Sequence, residues 1–175
     1  KNKSKVLKLI DGTNNYVLSS FQGGVSANAT VGQPFGVLRG TGYEYLNGEK
    51  VVNKDGFYKS VPDQIIGDPN PDWNMGVTNT LSYKGLSLSF LIDVQKGGDV
   101  YSLDMHYGQG TGIFENTVGN NDRGMPVRSP VSSGGGVLNP GVQEDGTANT
   151  VYADATDYSG AFYWGNSTYN PGAMT

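Results

Sequence analysis

Residues 75–94 constrain this chain more than any other segment, because two nearly strictly alternating runs flank a single Lys84-Gly85 pair. The apolar residues of the two runs are Met75, Val77, Leu81 and Tyr83, followed by Leu86, Leu88, Phe90, Ile92 and Val94. A two-residue loop would join the runs as an antiparallel hairpin in which Leu81 faces Leu88. All of these apolar side chains then share one sheet face, opposite a face that carries Ser87 and Ser89.

Each run is about nine residues long, the length that a tilted strand needs to cross a bilayer. A short turn, an apolar outer face and a polar inner face are typical of a transmembrane β-barrel hairpin. Trp73 and Tyr83 would then be membrane-interface anchors at the two ends of a spanning strand. A soluble β-sandwich also alternates, with its apolar face buried in a core. The pattern alone therefore leaves two alternatives open, a membrane hairpin and a soluble β-module.

Composition favours an all-β chain and excludes several classes of function. The 175 residues include 27 glycines and no cysteine, so disulfides and thiolate metal sites are excluded. No apolar run approaches the length of about 18 residues that a transmembrane helix needs. Residues 101–175 carry two basic and seven acidic residues, and no basic stripe is present to bind nucleic acid. Because the chain begins at Lys1 rather than Met and shows no signal peptide, we expect either a processed chain or, in preference, a piece of a longer protein.

Turn-forming residues divide the first part of the chain into short strands. A strand is predicted over residues 16–21, and helical periodicity is nearly absent throughout. Asn47-Gly48 is a strong signal for a short hairpin, and Asp55-Gly56 predicts a further turn. The segment beyond residue 107 has few apolar pairs and is too long for an ordinary connection in a compact domain.

Several short motifs follow one another in order between residues 25 and 155. They are Gly32-Gln33-Pro34-Phe35-Gly36 with Arg39-Gly40, Ile66-Gly67-Asp68-Pro69-Asn70-Pro71-Asp72-Trp73, Gly76-Val77-Thr78-Asn79-Thr80 with Tyr83-Lys84, Leu88-Ser89-Phe90, Gly97-Gly98-Asp99-Val100-Tyr101, and Glu144-Asp145-Gly146-Thr147-Ala148-Asn149-Thr150. In this order the set resembles the SusC/RagA family of TonB-dependent outer-membrane transporters. Each motif is short, and the specificity lies in their succession along the chain.

The resemblance implies a plugged transmembrane β-barrel of about 22 strands, to which this chain contributes antiparallel strands and long loops. It implies import of oligosaccharides or peptides across the bacterial outer membrane, with a SusD-like surface lipoprotein as the lid. The barrel would face outer-membrane lipid, and TonB would act through the missing N-terminal part. In this interpretation residues 1–107 are barrel strands and hairpins, and residues 108–175 form a long extracellular loop region with a possible return strand.

No arrangement of residues indicates catalysis, and we expect neither an enzyme nor a cofactor or metal site. His106 is the only histidine, and as a catalytic base it would need a nucleophile and a carboxylate that orients it. Asp104 is close in sequence, but we expect it on the same strand face as His106. Asn53, Asp55 and Gly56 are similar to the start of a calcium loop, but the further acidic ligands are missing. An ordinary turn is therefore predicted there.

Aromatic residues near the acidic C-terminal end supply the candidate substrate site. The site comprises Tyr158, Tyr163, Trp164, Asp154 and Asp157. Aromatic faces flanked by carboxylates suit sugar binding, whereas the structural alternative is a small core within the loop or an aromatic girdle at the membrane interface. Three hypotheses follow: a transporter fragment, a soluble secreted β-module that binds glycans, and an adhesive surface protein, which should contain repeats that the sequence lacks.

Overall fold

The computed structural model describes residues 3–156 as antiparallel strands with one short helix, which confirms the all-β fold class. The strands are β1 (Asn15–Phe21), β2 (Val25–Thr30), β3 (Val37–Tyr43), β4 (Tyr45–Leu46), β5 (Glu49–Lys50), β6 (Ser60–Gly67), β7 (Pro71–Tyr83), β8 (Leu86–Gly97), β9 (Val137–Leu138) and β10 (Tyr152–Ala153). The helix α1 is Leu103–Thr111, and single 3₁₀ turns occupy Glu115–Thr117 and Val131–Ser133. Within this described range no helix has the length and apolarity to span a membrane.

A four-stranded antiparallel sheet in the order β1-β2-β3-β6 forms the first part of the chain. The strand predicted over residues 16–21 is confirmed as β1. Val25, Val37 and Leu38 are buried in this sheet beside a buried polar side chain, Asn28, which is 1% exposed. The Asn28 carboxamide is paired, because its oxygen accepts from Asn15 at 3.1 Å and its nitrogen donates to the Ser26 carbonyl at 2.9 Å.

The hairpin predicted at Asn47-Gly48 is confirmed, with Tyr45 opposite Lys50 across β4 and β5. Both turn residues have positive φ, 53° for Asn47 and 91° for Gly48, as a primed two-residue turn requires. This hairpin lies within the excursion between β3 and β6, and residues 44–59 therefore form a loop at one end of the four-stranded sheet.

The expectation that Asp104 lies on a strand is wrong, because residues 103–111 form the helix α1. The Ser102 hydroxyl accepts the Met105 amide hydrogen at 3.2 Å, which caps the helix N-terminus. Gly112 ends the helix in a left-handed conformation, and its amide donates to the Gly108 carbonyl. The two caps, rather than an amphipathic pattern, set the limits of this helix.

Candidate functional site: an exposed hairpin and two docked loops

Strands β7 and β8 form the hairpin that the sequence predicts, closed at Lys84-Gly85. The register pairs Val77 with Ile92 and Leu81 with Leu88. Lys84 and Gly85 adopt φ values of 45° and 85°, which close a two-residue turn matched to the strand twist. The paired strands extend beyond the predicted limits, to Pro71 and Gly97.

One face of this hairpin is apolar and uncovered. Leu81, Leu86, Leu88 and Ile92 are between 52 and 77% exposed. Within residues 3–156, β7 and β8 pair with each other and with no other strand. A contiguous exposed apolar face of this kind marks a surface that another apolar phase or protein covers.

The opposite face of the hairpin carries hydroxyl pairs. The Thr80 and Ser89 hydroxyls lie 3.1 Å apart, and the Ser82 and Ser87 hydroxyls also lie 3.1 Å apart. Leu91 is the exception, because it lies opposite Thr78 on this polar face and is 65% exposed. The hairpin is therefore apolar on one side and mainly polar on the other, as strands between lipid and a wet lumen are.

Trp73 and Tyr83 mark the two ends of the apolar face. They lie ten positions apart in β7, which corresponds to about 33 Å along an extended strand. A strand tilted by about 40° would place the two rings about 25 Å apart along the membrane normal, the height of the apolar band in outer-membrane barrels. The Lys84 ammonium lies 5.2 Å from the centroid of the Tyr83 ring, so a cation lies next to the aromatic at the turn.

Two loops from distant parts of the sequence dock against each other at the end of the sheet. Residues 44–59 contact residues 137–153, and we refer to these segments as the docked loops. The Val52 amide donates to the Val142 carbonyl at 2.7 Å, and the Val142 amide donates to the Lys50 carbonyl at 2.9 Å. The buried Asn139 carboxamide donates to the Gly56 carbonyl at 2.8 Å. Backbone and side-chain hydrogen bonds thus make the docked loops a single unit.

The surroundings of Gly56 show how closely the two docked loops approach each other. A Cβ atom at Gly56 would lie 2.5 Å from the Ala153 nitrogen, whereas a Cβ at Gly12 would meet nothing within 4 Å. Both glycines have a positive φ, 85° and 83°, so alanine is strained at both positions. We expect Gly12→Ala to cost about 1 kcal/mol and Gly56→Ala about 2–4 kcal/mol of stability. Equal costs in thermal unfolding of the full-length protein would contradict the close approach.

An aromatic cluster that the sequence did not reveal lies where the end of β3 meets the first docked loop. The Lys50 ammonium lies 3.9 Å from the Tyr43 ring centroid and 4.9 Å from the Tyr58 ring centroid. Tyr45 packs edge-on against Tyr43, with the centroids 6.5 Å apart. Burial lowers the pKa of Lys50. The Asn47-Gly48 turn was the available signal for one part of the cluster, because its register places Lys50 opposite Tyr45.

Of the predicted substrate-site residues, the structure describes Asp154; Tyr158, Tyr163, Trp164 and Asp157 lie outside the described residues. The Asp154 carboxylate accepts from the Thr156 amide at 2.8 Å and from the Thr156 hydroxyl at 2.7 Å. These two hydrogen bonds lower the pKa of Asp154 and favour its ionised form. Whether the five residues come together therefore stays a prediction.

Close to Asp154 in the sequence, Tyr152 contacts two charged side chains, those of Asp122 and Arg123. Its hydroxyl donates to the Asp122 carboxylate, with both oxygens at 2.6 Å. The Arg123 guanidinium lies 3.4 Å from the centroid of the same ring. Tyr152 thereby connects the second docked loop to the turn at residues 121–124.

The part of the chain that the structure describes contains no group of three or more acidic or histidine side chains that could hold a metal ion. The Asn53 side-chain oxygen accepts from the Asp55 amide at 2.9 Å and from the Phe57 amide at 3.0 Å. Asn53 therefore caps a turn, as the asparagine of an Asx-turn does.

No protein family model matches the chain. The chain is 37% identical over 73 residues to a protein of Formosa agariphila named TonB-dependent receptor P26. The match covers 41% of this chain and 7% of the relative, so the chain corresponds to a small part of that protein's length.

Proposed function

We propose that this chain is part of a SusC/RagA-type TonB-dependent transporter in the bacterial outer membrane. The full-length protein imports oligosaccharides or peptides together with a SusD-like surface lipoprotein, and it draws energy from TonB through a part that precedes this chain. The proposal rests on the ordered motifs, on the partial similarity to a TonB-dependent receptor and on the hairpin geometry.

The exposed apolar face of β7 and β8 is the observation that carries the proposal. Its length between Trp73 and Tyr83 fits the apolar band of an outer-membrane barrel, and its reverse side carries paired hydroxyls. In a soluble glycan-binding β-module, a second sheet would bury residues such as Leu86 and Leu88. Both residues are exposed, which favours lipid as the neighbour of this face.

We further propose that this part of the protein performs no catalysis. The sequence offers a single histidine and no cysteine, and Asp104 lies in the first turn of the helix α1. The purified full-length protein should leave oligosaccharides and peptides chemically unchanged during incubation. Any turnover that is lost on substitution of a residue in this chain would overturn this part of the proposal.

Uptake measurements test the transport proposal directly. Deleting the gene for the full-length protein should abolish uptake of one member of a panel of labelled oligosaccharides and peptides. The same uptake should stop when TonB is removed or the proton gradient is collapsed. A SusD-like lipoprotein should co-purify with the full-length protein from outer membranes. Uptake that persists without TonB would contradict the energy coupling.

The proposed substrate site can be tested by substitution without deleting the loop. Deleting residues 115–148 would also remove Asn139 and Val142, which hold the other docked loop, so its effect would be ambiguous. The double change Tyr163→Ala and Trp164→Ala should raise the substrate Kd about tenfold or more, since aromatic residues in binding sites contribute strongly. Tyr16→Ala, on an aromatic residue of β1 that is 60% exposed and lies outside both docked loops, is the control and should leave the Kd unchanged.

A further inference from the structure

The chain segments before and after the hairpin form one connected unit, which we call the body: residues 3–70 and 98–156. The Asp99 amide donates to the Asp68 carbonyl at 2.7 Å, and the Asp68 amide donates to the Asp99 carboxylate at 2.7 Å. These two bonds connect the chain immediately before β7 to the chain immediately after β8. The hairpin therefore leaves and re-enters the body at one place.

Contacts farther from the hairpin connect the same two segments. The Gln22 side chain donates to the Tyr107 hydroxyl at 2.6 Å, which joins the end of β1 to α1. Lys59 forms an ion pair with Glu144 at 3.2 Å across the docked loops. Ala153 and Ala155 are buried against Phe57 from the first segment and Val127 from the second. Contacts are thus distributed from the hairpin base to the docked loops.

The body also differs from the hairpin in its chemistry. Its four-stranded sheet buries Asn28, whose carboxamide is hydrogen-bonded inside the protein, and its loops bury Asn139 and Asn149. The docked loops carry the charged side chains Glu44, Lys59 and Glu144. Charged groups and irregular backbone of this kind are excluded from the lipid-exposed hydrocarbon region.

We infer that residues 3–70 face the same compartment as residues 98–156, so the loop at residues 44–59 belongs to the outward surface that substrate and lipoprotein meet. This inference rests on the proposed function, which places the hairpin across the membrane. It differs from the sequence-based division, in which residues 1–107 were membrane strands and residues 108–175 alone formed the outer loop. In the inferred arrangement, β7 and β8 alone cross the membrane, and Lys84-Gly85 lies on the opposite side from the docked loops.

Single-cysteine labelling of the full-length protein tests this arrangement, and the absence of cysteine from this chain makes the experiment clean. In a cysteine-free background, the reporters are Lys54→Cys and Glu49→Cys in the first docked loop, Ser132→Cys beyond the hairpin, and Lys84→Cys at the turn. Cells that lack the lipoprotein are treated with a membrane-impermeant maleimide. Each variant is also labelled after denaturation, to establish that its thiol is reactive.

The expected result is labelling of positions 49, 54 and 132 in intact cells. Lys84→Cys should label only after the outer membrane is permeabilised, and before that should stay at the level of the cysteine-free protein. If position 132 labels while positions 49 and 54 do not, the body is divided and the inference fails, although the hairpin still crosses the membrane. If all four positions label in intact cells, the hairpin does not cross and the proposed function itself fails.

Discussion

Replacing Ile92 with arginine in the full-length protein should destabilise it in lipid by about 2–4 kcal/mol. Ile92 pairs with Val77, one residue from Thr78, which lies midway between Trp73 and Tyr83 along β7. Its side chain is 52% exposed on the apolar face and would therefore enter the lipid near the bilayer midplane. An arginine there costs the most, because no water is available to solvate the guanidinium. Unfolding in a denaturant titration from lipid vesicles measures the change.

Leu91→Arg is the matched control for this prediction. Leu91 is adjacent to Ile92, at nearly the same depth, and the substitution again replaces a branched apolar residue with arginine. It lies opposite Thr78 on the polar face, where a wet lumen would solvate the new charge. We expect a clearly smaller cost than for Ile92→Arg. Similar costs for the two variants would show that the assignment of lipid and lumen faces is wrong.

Arginine substitution at a second depth on the apolar face tests the position of the hairpin in the membrane. Leu88 shares the apolar face with Ile92 but pairs with Leu81, closer to Tyr83 and the turn. The cost of an arginine falls towards about 0–1 kcal/mol near the membrane interface. Leu88→Arg should therefore cost less than Ile92→Arg while remaining above the Leu91→Arg control. A larger cost at Leu88 would move the midplane towards the turn.

The hairpin and its turns were predictable because their causes are local. A period of two over nine residues on each side of Lys84-Gly85 fixes both the pairing and the facing of the side chains. Asn47-Gly48 similarly determines its own turn, because both residues tolerate positive φ. The same period places Leu91 on the polar face, opposite Thr78, although its side chain is apolar.

The helix α1 and the docked loops were not predictable from periodicity. Helix α1 contains two glycines and no clear apolar stripe, and it depends on the Ser102 cap and on Phe114 packing against Gly108, where a Cβ would lie 2.3 Å from the ring. The docked loops meet through Asn139 and Gly56, which are 83 residues apart in the sequence. Contact over such a distance leaves no pattern in one sequence, since the Asn139 side chain binds a main-chain carbonyl that every residue carries.

Arg128 also makes contacts that periodicity does not predict, because it binds main-chain carbonyls from separate segments. Its guanidinium donates to the Thr117 carbonyl at 3.0 Å and to the carbonyls of Gln109, Gly110 and Ala155, each at 3.3 Å. Two of these carbonyls belong to the last turn of α1, where a positive charge is also favoured by the helix dipole. One side chain therefore holds the helix end, a 3₁₀ turn and the segment after β10 together.

Arg128→Met should lower the local stability of this region by about 2–4 kcal/mol, because it removes several charge-assisted hydrogen bonds at once. Hydrogen exchange of the amides in residues 108–118, measured on the full-length protein, should accelerate accordingly. Arg128→Lys should recover only a small part of the loss, since an ammonium group cannot reproduce the planar fork of donors. Arg123→Met removes a cation that contacts one exposed ring and should cost no more than about 1 kcal/mol. If Arg123→Met and Arg128→Met accelerate exchange equally, Arg128 does not hold these segments together.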